Sequence, residues 1–220
     1  LSERCKSLGC ELRTVADTEI KVCSLGLRDQ SFEYRDWHDV HISLAGTYQF
    51  KNASLAIMAT EALRDKGCDI SAGLKAARWV GRFTQIAEAP AVIIDGAHND
   101  GAAIALEDSV QQYFGDKKVI LVIGIFKDKE YESVLAHLVP LAKQVITVET
   151  PNSDRALPAD VLMEKAFRYS EHVEAAESIC QGMEKAYAYA SRDDVILICG
   201  SLSFLSDVKR IVERRGTNNG

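Results

Sequence analysis

Val92-Ile93-Ile94-Asp95-Gly96-Ala97-His98-Asn99 is the stretch that decides how the rest of the chain is read. Three branched apolar residues in a row describe a strand buried on both faces. A carboxylate, a glycine, an imidazole and an amide follow where that strand should stop. Ala103, Leu106, Val110, Tyr113 and Phe114 then recur at helical spacing, so the order is strand, tight loop, helix. In an open α/β sheet such a loop lies at the carboxyl end of a strand, where these folds bind ligands. The helix amino terminus beyond the glycine attracts negative charge. An ordinary turn with Asn99 capping the helix accounts for the same residues.

Outward from that octet toward the carboxyl end, the pattern repeats. Strands are predicted at Val119–Ile125, Gln144–Glu149, His172–Ala175 and Val195–Cys199, with helices between them and a last helix from about Ser203 to Arg214. Alternating strands and helices predict an α/β fold with a Rossmann-like, mostly parallel, doubly wound sheet. Gly216 to Gly220 is expected to fray. Toward the amino end, Glu19–Val22, Ser31–Arg35 and His38–Leu44 alternate as strands of an antiparallel sheet with one wet face. His38 and His41 should point to opposite faces of their strand and share no metal. A helix is expected from Asn52 to Gly67 and a second from Ser71 to Val80, capped by Ser71. Thr84 to Pro90 looks like a loop and is the best place for a domain boundary.

The chain has 220 residues, enough for one large domain or two small ones. Its net charge of −6, with no basic run, argues against nucleic acid as the main partner, and no apolar run is long enough to cross a bilayer. The six cysteines show neither a C-x-x-C pair nor zinc-like spacing. They suit reduced thiols of a cytoplasmic protein better than a disulfide framework. Several loops after strands carry polar residues: Lys127-Asp128-Lys129-Glu130, Thr150 to Arg155, and Gly200-Ser201. A phosphate or an amino-acid ligand would use cations and hydroxyls there, and Arg82, Lys127, Lys129, Arg155 and Ser201 supply the types. Neither G-x-x-x-x-G-K-[ST] nor a G-x-G-x-x-G after a strand is present, so the phosphates of a nucleotide would be cradled mainly by residues outside this stretch.

Leu44-Ala45-Gly46-Thr47-Tyr48-Gln49-Phe50-Lys51-Asn52-Ala53, Trp79-Val80-Gly81-Arg82-Phe83 and Asp95-Gly96-Ala97-His98-Asn99, in this order and spacing, resemble the bifunctional folylpolyglutamate synthase/dihydrofolate synthase family of the Mur ligase superfamily. The resemblance implies that residues 1–80 are the carboxy-terminal part of a central ATPase domain and 81–220 a Mur ligase-type carboxy-terminal domain. It implies a monomeric ATP-dependent ligase of folate biosynthesis and one-carbon metabolism, acting on ATP, L-glutamate and a reduced folate or dihydropteroate. Magnesium ligands and the phosphate loop would lie upstream, leaving this stretch inactive by itself. By resemblance, Asn52 contacts the nucleotide base, Arg82 reaches the triphosphate, Asp95 holds the ribose hydroxyls and His98 sits beside them, with a catalytic or a structural role. Ser201 and Arg155 would meet the incoming glutamate. The pattern departs from the family at Tyr48, Val80, Asp100 and Glu130, where histidine, proline, proline and aspartate are usual. Another Mur-type amino-acid ligase and a non-enzymatic α/β binding module are the competing readings.

Overall fold

The computed structural model describes residues 1–63, 67–151 and 154–218, in two compact units. Asn152 and Ser153, part of the polar loop anticipated after the third parallel strand, lie outside the described residues, as do Asn219 and Gly220 of the expected tail.

The first unit comprises residues 1–43 and 48–77. It contains helix α1 (Ser2–Leu8), strands β1 (Ile20–Ser24), β2 (Gln30–Tyr34) and β3 (Trp37–Ile42), and helices α2 (Tyr48–Leu63) and α3 (Ile70–Ala76). The strands form an antiparallel sheet in the order β1-β2-β3. Phe32, Tyr34, Val40 and Ile42 from the sheet bury themselves against Phe50, Ala53, Ile57 and Met58 of α2. Helix α2 begins at Tyr48, a turn earlier than expected, because the aromatic Phe50 already belongs to this core. Asp69 rather than Ser71 caps α3, its carboxylate accepting the Ala72 N–H at 2.9 Å. That helix stops at Ala76 and does not reach Val80. The short α1 had no sequence counterpart; it buries no side chain, so it lacks the apolar periodicity that would have shown it.

His41 on β3 is held between two carboxylates, Nδ1 at 2.9 Å from Asp29 and Nε2 at 3.2 Å from Asp39. The hydrogen bond to Asp29 raises its pKa above the usual imidazole value; partial burial pulls the other way, and Asp39 reinforces the rise. A raised folded-state pKa means that the pair's contribution is fully present below about pH 6.5 and is lost as pH rises through the folded value. The denaturant midpoint of the wild-type chain is therefore expected to fall between pH 6 and pH 8 relative to that of His41→Gln. Parallel midpoints for the two proteins across that range would contradict this.

The second unit comprises residues 44–47 and 78–220. Its elements are β4 (Thr84–Glu88), β5 (Ala91–Ile94), α4 (Asp100–Phe114), β6 (Val119–Ile123), α5 (Tyr131–Leu138), β7 (Ala142–Thr147), α6 (Ala159–Ala166), β8 (Val173–Ala175), α7 (Ile179–Tyr189), β9 (Val195–Cys199) and α8 (Leu205–Asn218). The sheet runs β4-β5-β9-β6-β7-β8, parallel throughout except for β4. The central strands β5, β6 and β9 are buried along their whole length, as their unbroken aliphatic runs require. Val92, Ile94, Ile120, Val122, Ile196 and Ile198 project to one face, against Met183 and Ala186 of α7 and Leu205 and Val208 of α8. The intervening residues project to the other face, as Thr147 does when its hydroxyl donates to the Ala159 carbonyl at the start of α6.

Three expectations need correction here. Thr84 to Glu88 is an edge strand, antiparallel to β5, and not a loop. Thr84 pairs with Ile94 and Gln85 with Ile93, but Ala87 with Val92, so Ile86 is an inserted residue. That bulge breaks the two-residue alternation by which a strand is recognised. The parallel strands β6 and β7 end at Ile123 and Thr147, two residues short of the anticipated ends. Helix α8 runs through Gly216 to Asn218, where fraying was expected.

Candidate functional site

Strand order places the site. The chain leaves β5 for α4, crosses to β6, steps outward through β7 and β8, and returns through α7 to β9, between β5 and β6. The loops after β5 and β9 therefore leave adjacent strands and turn to opposite faces of the sheet. Such a reversal opens a crevice at the carboxyl edge. The stretch from Val92 to Asn99 ends in it.

Asp95 is 4% exposed, and both of its carboxylate oxygens hold backbone. Oδ1 accepts the Ala97 N–H at 2.8 Å and Oδ2 the Phe83 N–H at 2.7 Å. The Gly96 N–H donates to the Gly81 carbonyl at 2.9 Å, and the Gly81 N–H donates to Thr84 Oγ1 at 3.1 Å. One aspartate thus clips Gly81-Arg82-Phe83 to the loop beyond β5. The clip matters because Phe83 is not glycine yet has φ of 42°, a conformation that side chains disfavour. Burial of its ring against Tyr113 and Phe114 of α4 opposes that cost. Gly81 has φ of 88°, so the segment turns twice within three residues.

Arg82 stands at the centre of this turn. Its guanidinium lies over Gly96, 3.1 Å from where a Cβ on that glycine would sit, and Leu202 covers the same position even more closely. Among the described residues the Arg82 side chain makes no ion pair. A half-buried, unpaired guanidinium at a ligand crevice suits a phosphate or carboxylate from outside the chain. His98 is half-buried, with Nδ1 2.7 Å from the Gly96 carbonyl. A carbonyl only accepts, so that contact assigns a proton to Nδ1. Asn99 caps α4, its Oδ1 accepting the Ala102 N–H at 2.9 Å.

The remaining predicted residues are placed differently. Ser201 is 5% exposed, and its hydroxyl caps the turn after β9 by accepting the Ser203 N–H at 3.2 Å. Arg155 forks onto Asp128 through Nε at 3.0 Å and Nη2 at 2.6 Å, and its guanidinium lies over the Phe126 ring. It braces the loop after β7 to the loop after β6, where the Lys127 N–H also donates to the Arg155 carbonyl. Asn52 is exposed on α2 in the first unit, its amide donating to Gln49 at 3.0 Å. The structure brings Arg82, Asp95 and His98 together around Gly96.

Residues 44–47 add a contact the sequence did not suggest. The Gly46 N–H donates to Tyr113 Oη at 3.1 Å, and Thr47 bonds Ser109 through both its N–H and its hydroxyl, so Leu44-Ala45-Gly46-Thr47 is fixed on α4. Leu202 and Phe83 were also missed as parts of the site. Phe83 stood within a recognised motif, but only its left-handed backbone shows what it does. Among the described residues, no group of three or more histidine, cysteine or acidic side chains could hold a metal ion.

The family model of the Mur ligase, glutamate ligase domain matches residues 81–202. The Bacillus subtilis dihydrofolate synthase/folylpolyglutamate synthase is 27% identical over 184 residues, covering 81% of this chain and 42% of that protein. A probable bifunctional folylpolyglutamate synthase/dihydropteroate synthase of Halobacterium salinarum is 34% identical over 182 residues, 79% of this chain and 21% of that one. The chain thus spans less than half the length of the curated relatives it matches. The structure of Escherichia coli FolC in complex with DHPP and ADP superposes with a TM-score of 0.79 at 25% identity, over 97% of this chain and 50% of the other. The chain belongs to the Mur ligase family, in its folylpolyglutamate synthase branch, and carries that family's glutamate ligase domain.

Proposed function

We propose that the full-length protein is an ATP-dependent amide ligase that adds L-glutamate to a folate, with dihydropteroate as a second acceptor. The observation that carries this reading is the unpaired Arg82 guanidinium, held over Gly96 at the switch point of a glutamate ligase domain. The named relatives, and the ADP and DHPP bound by the E. coli protein, support the substrate classes. Residues 1–80 would be the end of the central ATPase domain and 81–220 the ligase domain.

In the reaction, an acceptor carboxylate oxygen attacks the γ-phosphorus of ATP and ADP leaves, giving an acyl phosphate. The amine of glutamate then attacks the acyl carbon, phosphate departs with the former carboxylate oxygen, and the amine gives up a proton. Negative charge on the transferring group is what Arg82 would stabilise, and a rigid turn supplies it without reorganisation. By the family resemblance, Asp95 would hold the ribose hydroxyls. Asn52 would meet the base, and His98 would stand beside Asp95 in the ligase domain. Ser201 and Arg155 would serve glutamate mainly through the loops they hold. By the family resemblance, the ligands of the Mg2+ would come from the rest of the protein.

The test is incorporation of labelled glutamate by the full-length protein with ATP, Mg2+ and a reduced folate. We expect one phosphate released per glutamate added, and no ATP turnover by the 220-residue chain alone. Phosphate release indifferent to glutamate would overturn the assignment.

A further inference from the structure

At the opposite edge of the same sheet lies a cleft that the ligase reaction does not use. The β4–β5 turn, the end of α7 and the last turns of α8 enclose a cavity of about 540 Å³. Ala89, Pro90 and Val212 contribute an apolar floor, Tyr187 a wall, and Arg192 and Arg215 the rim. A second cavity of about 410 Å³ shares Tyr187 and Arg215 and adds Arg214. The two make one groove along α7 and α8, of a size that takes a small organic ligand.

Its arginines differ from five others in the chain. Arg13, Arg35, Arg155, Arg168 and Arg210 each pair with a carboxylate. Among the described residues, Arg192, Arg214 and Arg215 have no ion pair. One carboxylate, Glu184, also lines the groove, with the Cys180 thiol 3.7 Å from its Oε1. Two other nearby carboxylates are engaged elsewhere. Asp194 is bound by Lys143 and the Ser191 N–H, and Glu213 faces Lys209. Arg215 is moreover pre-oriented, its guanidinium 4.2 Å from the centre of the Tyr187 ring. A stacked guanidinium still presents its N–H fork edgewise, which suits two oxygens of one anionic group. In a chain of net charge −6, three arginines without an ion pair against one lining carboxylate leave the groove net positive, which suits a multiply charged anion.

We infer that this groove is a second binding site, separate from the ligase crevice, for a multiply charged carboxylate or phosphate ligand. The placement of Arg215 in the last turn of α8 would by itself offset the helix dipole. It accounts for neither Arg192, which lies outside any helix, nor the cavity.

Titration of the 220-residue chain at low salt with tri-γ-glutamate and, separately, inorganic tripolyphosphate tests this by calorimetry. At least one should bind with one-to-one stoichiometry, and the arm that binds names the chemistry. The double variant Arg192→Ala/Arg215→Ala should weaken binding about 100-fold, tenfold for each fork removed, while Arg82→Ala leaves it unchanged. Reversing charge with Arg192→Glu, which removes no packing, should abolish it. No binding by either anion, or binding lost in Arg82→Ala and kept in the double variant, would overturn the site. So would arginine variants that lower the melting temperature yet bind as wild type does. None of these results bears on glutamate ligation, which the full-length assay reads independently.

Discussion

If the proposed ligation is the activity, replacing Arg82 by alanine in the full-length protein is expected to lower turnover about a hundredfold or more with ATP and glutamate saturating. The expectation follows from where the side chain stands. Gly81 and Phe83 on either side of it adopt positive φ, and the Asp95 carboxylate and Gly96 N–H fasten both neighbours. The guanidinium is thus aimed before any ligand arrives, and a donor aimed in advance acts on the barrier more than on binding. A loss of about 3 kcal/mol is typical for one such donor. Because the side chain has no partner among the described residues, its removal should leave the melting temperature nearly unchanged. Lysine should restore only part of the rate, since a point charge does not reproduce the planar fork. Near-normal turnover in Arg82→Ala would remove the residue from the site.

The largest expected effect on folding is that of Gly200→Ala. Gly200 ends β9 at the switch point with φ of 107°, and a Cβ there would lie 2.4 Å from the Gly124 carbonyl oxygen. The obstacle is backbone of the adjoining β6 loop, whose Gly124 N–H itself donates to the Cys199 carbonyl. Neither side can move without breaking the junction between the two central strands. Backbone strain and overpacking together should cost about 3 kcal/mol or more. For a chain of this size that corresponds to a fall in melting temperature of about 10 °C. Gly73→Ala is the control: the site is helical with nothing within 4 Å of the added methyl, and it should be neutral or slightly stabilising. Equal melting curves for the two variants would contradict the packing described for the β6–β9 junction.

How far the sequence could be read follows from what each residue needed from its neighbours. The buried parallel strands were legible because burial on both faces forces unbroken aliphatic runs such as Val195 to Cys199. The edge strand β4 was not, since one inserted residue, Ile86, erases its alternation. At the site, the Asp95 loop was visible as an interruption of a hydrophobic strand by groups of another kind. Its internal wiring was not visible: that Asp95 holds Phe83, twelve residues away, depends on a backbone conformation no local pattern announces. Nor did residue type announce the local bonds of two other site residues: the Ser201 hydroxyl accepts the Ser203 N–H, and Arg155 forks onto Asp128.

The central claim is that a glutamate ligase domain works on a carboxylate first activated by ATP. Labelling that carboxylate with ¹⁸O and analysing the phosphate released by the full-length enzyme tests it most directly. Attack by the carboxylate on the γ-phosphorus predicts that one labelled oxygen reaches inorganic phosphate for each glutamate added. Glutamate addition with wholly unlabelled phosphate would contradict the account.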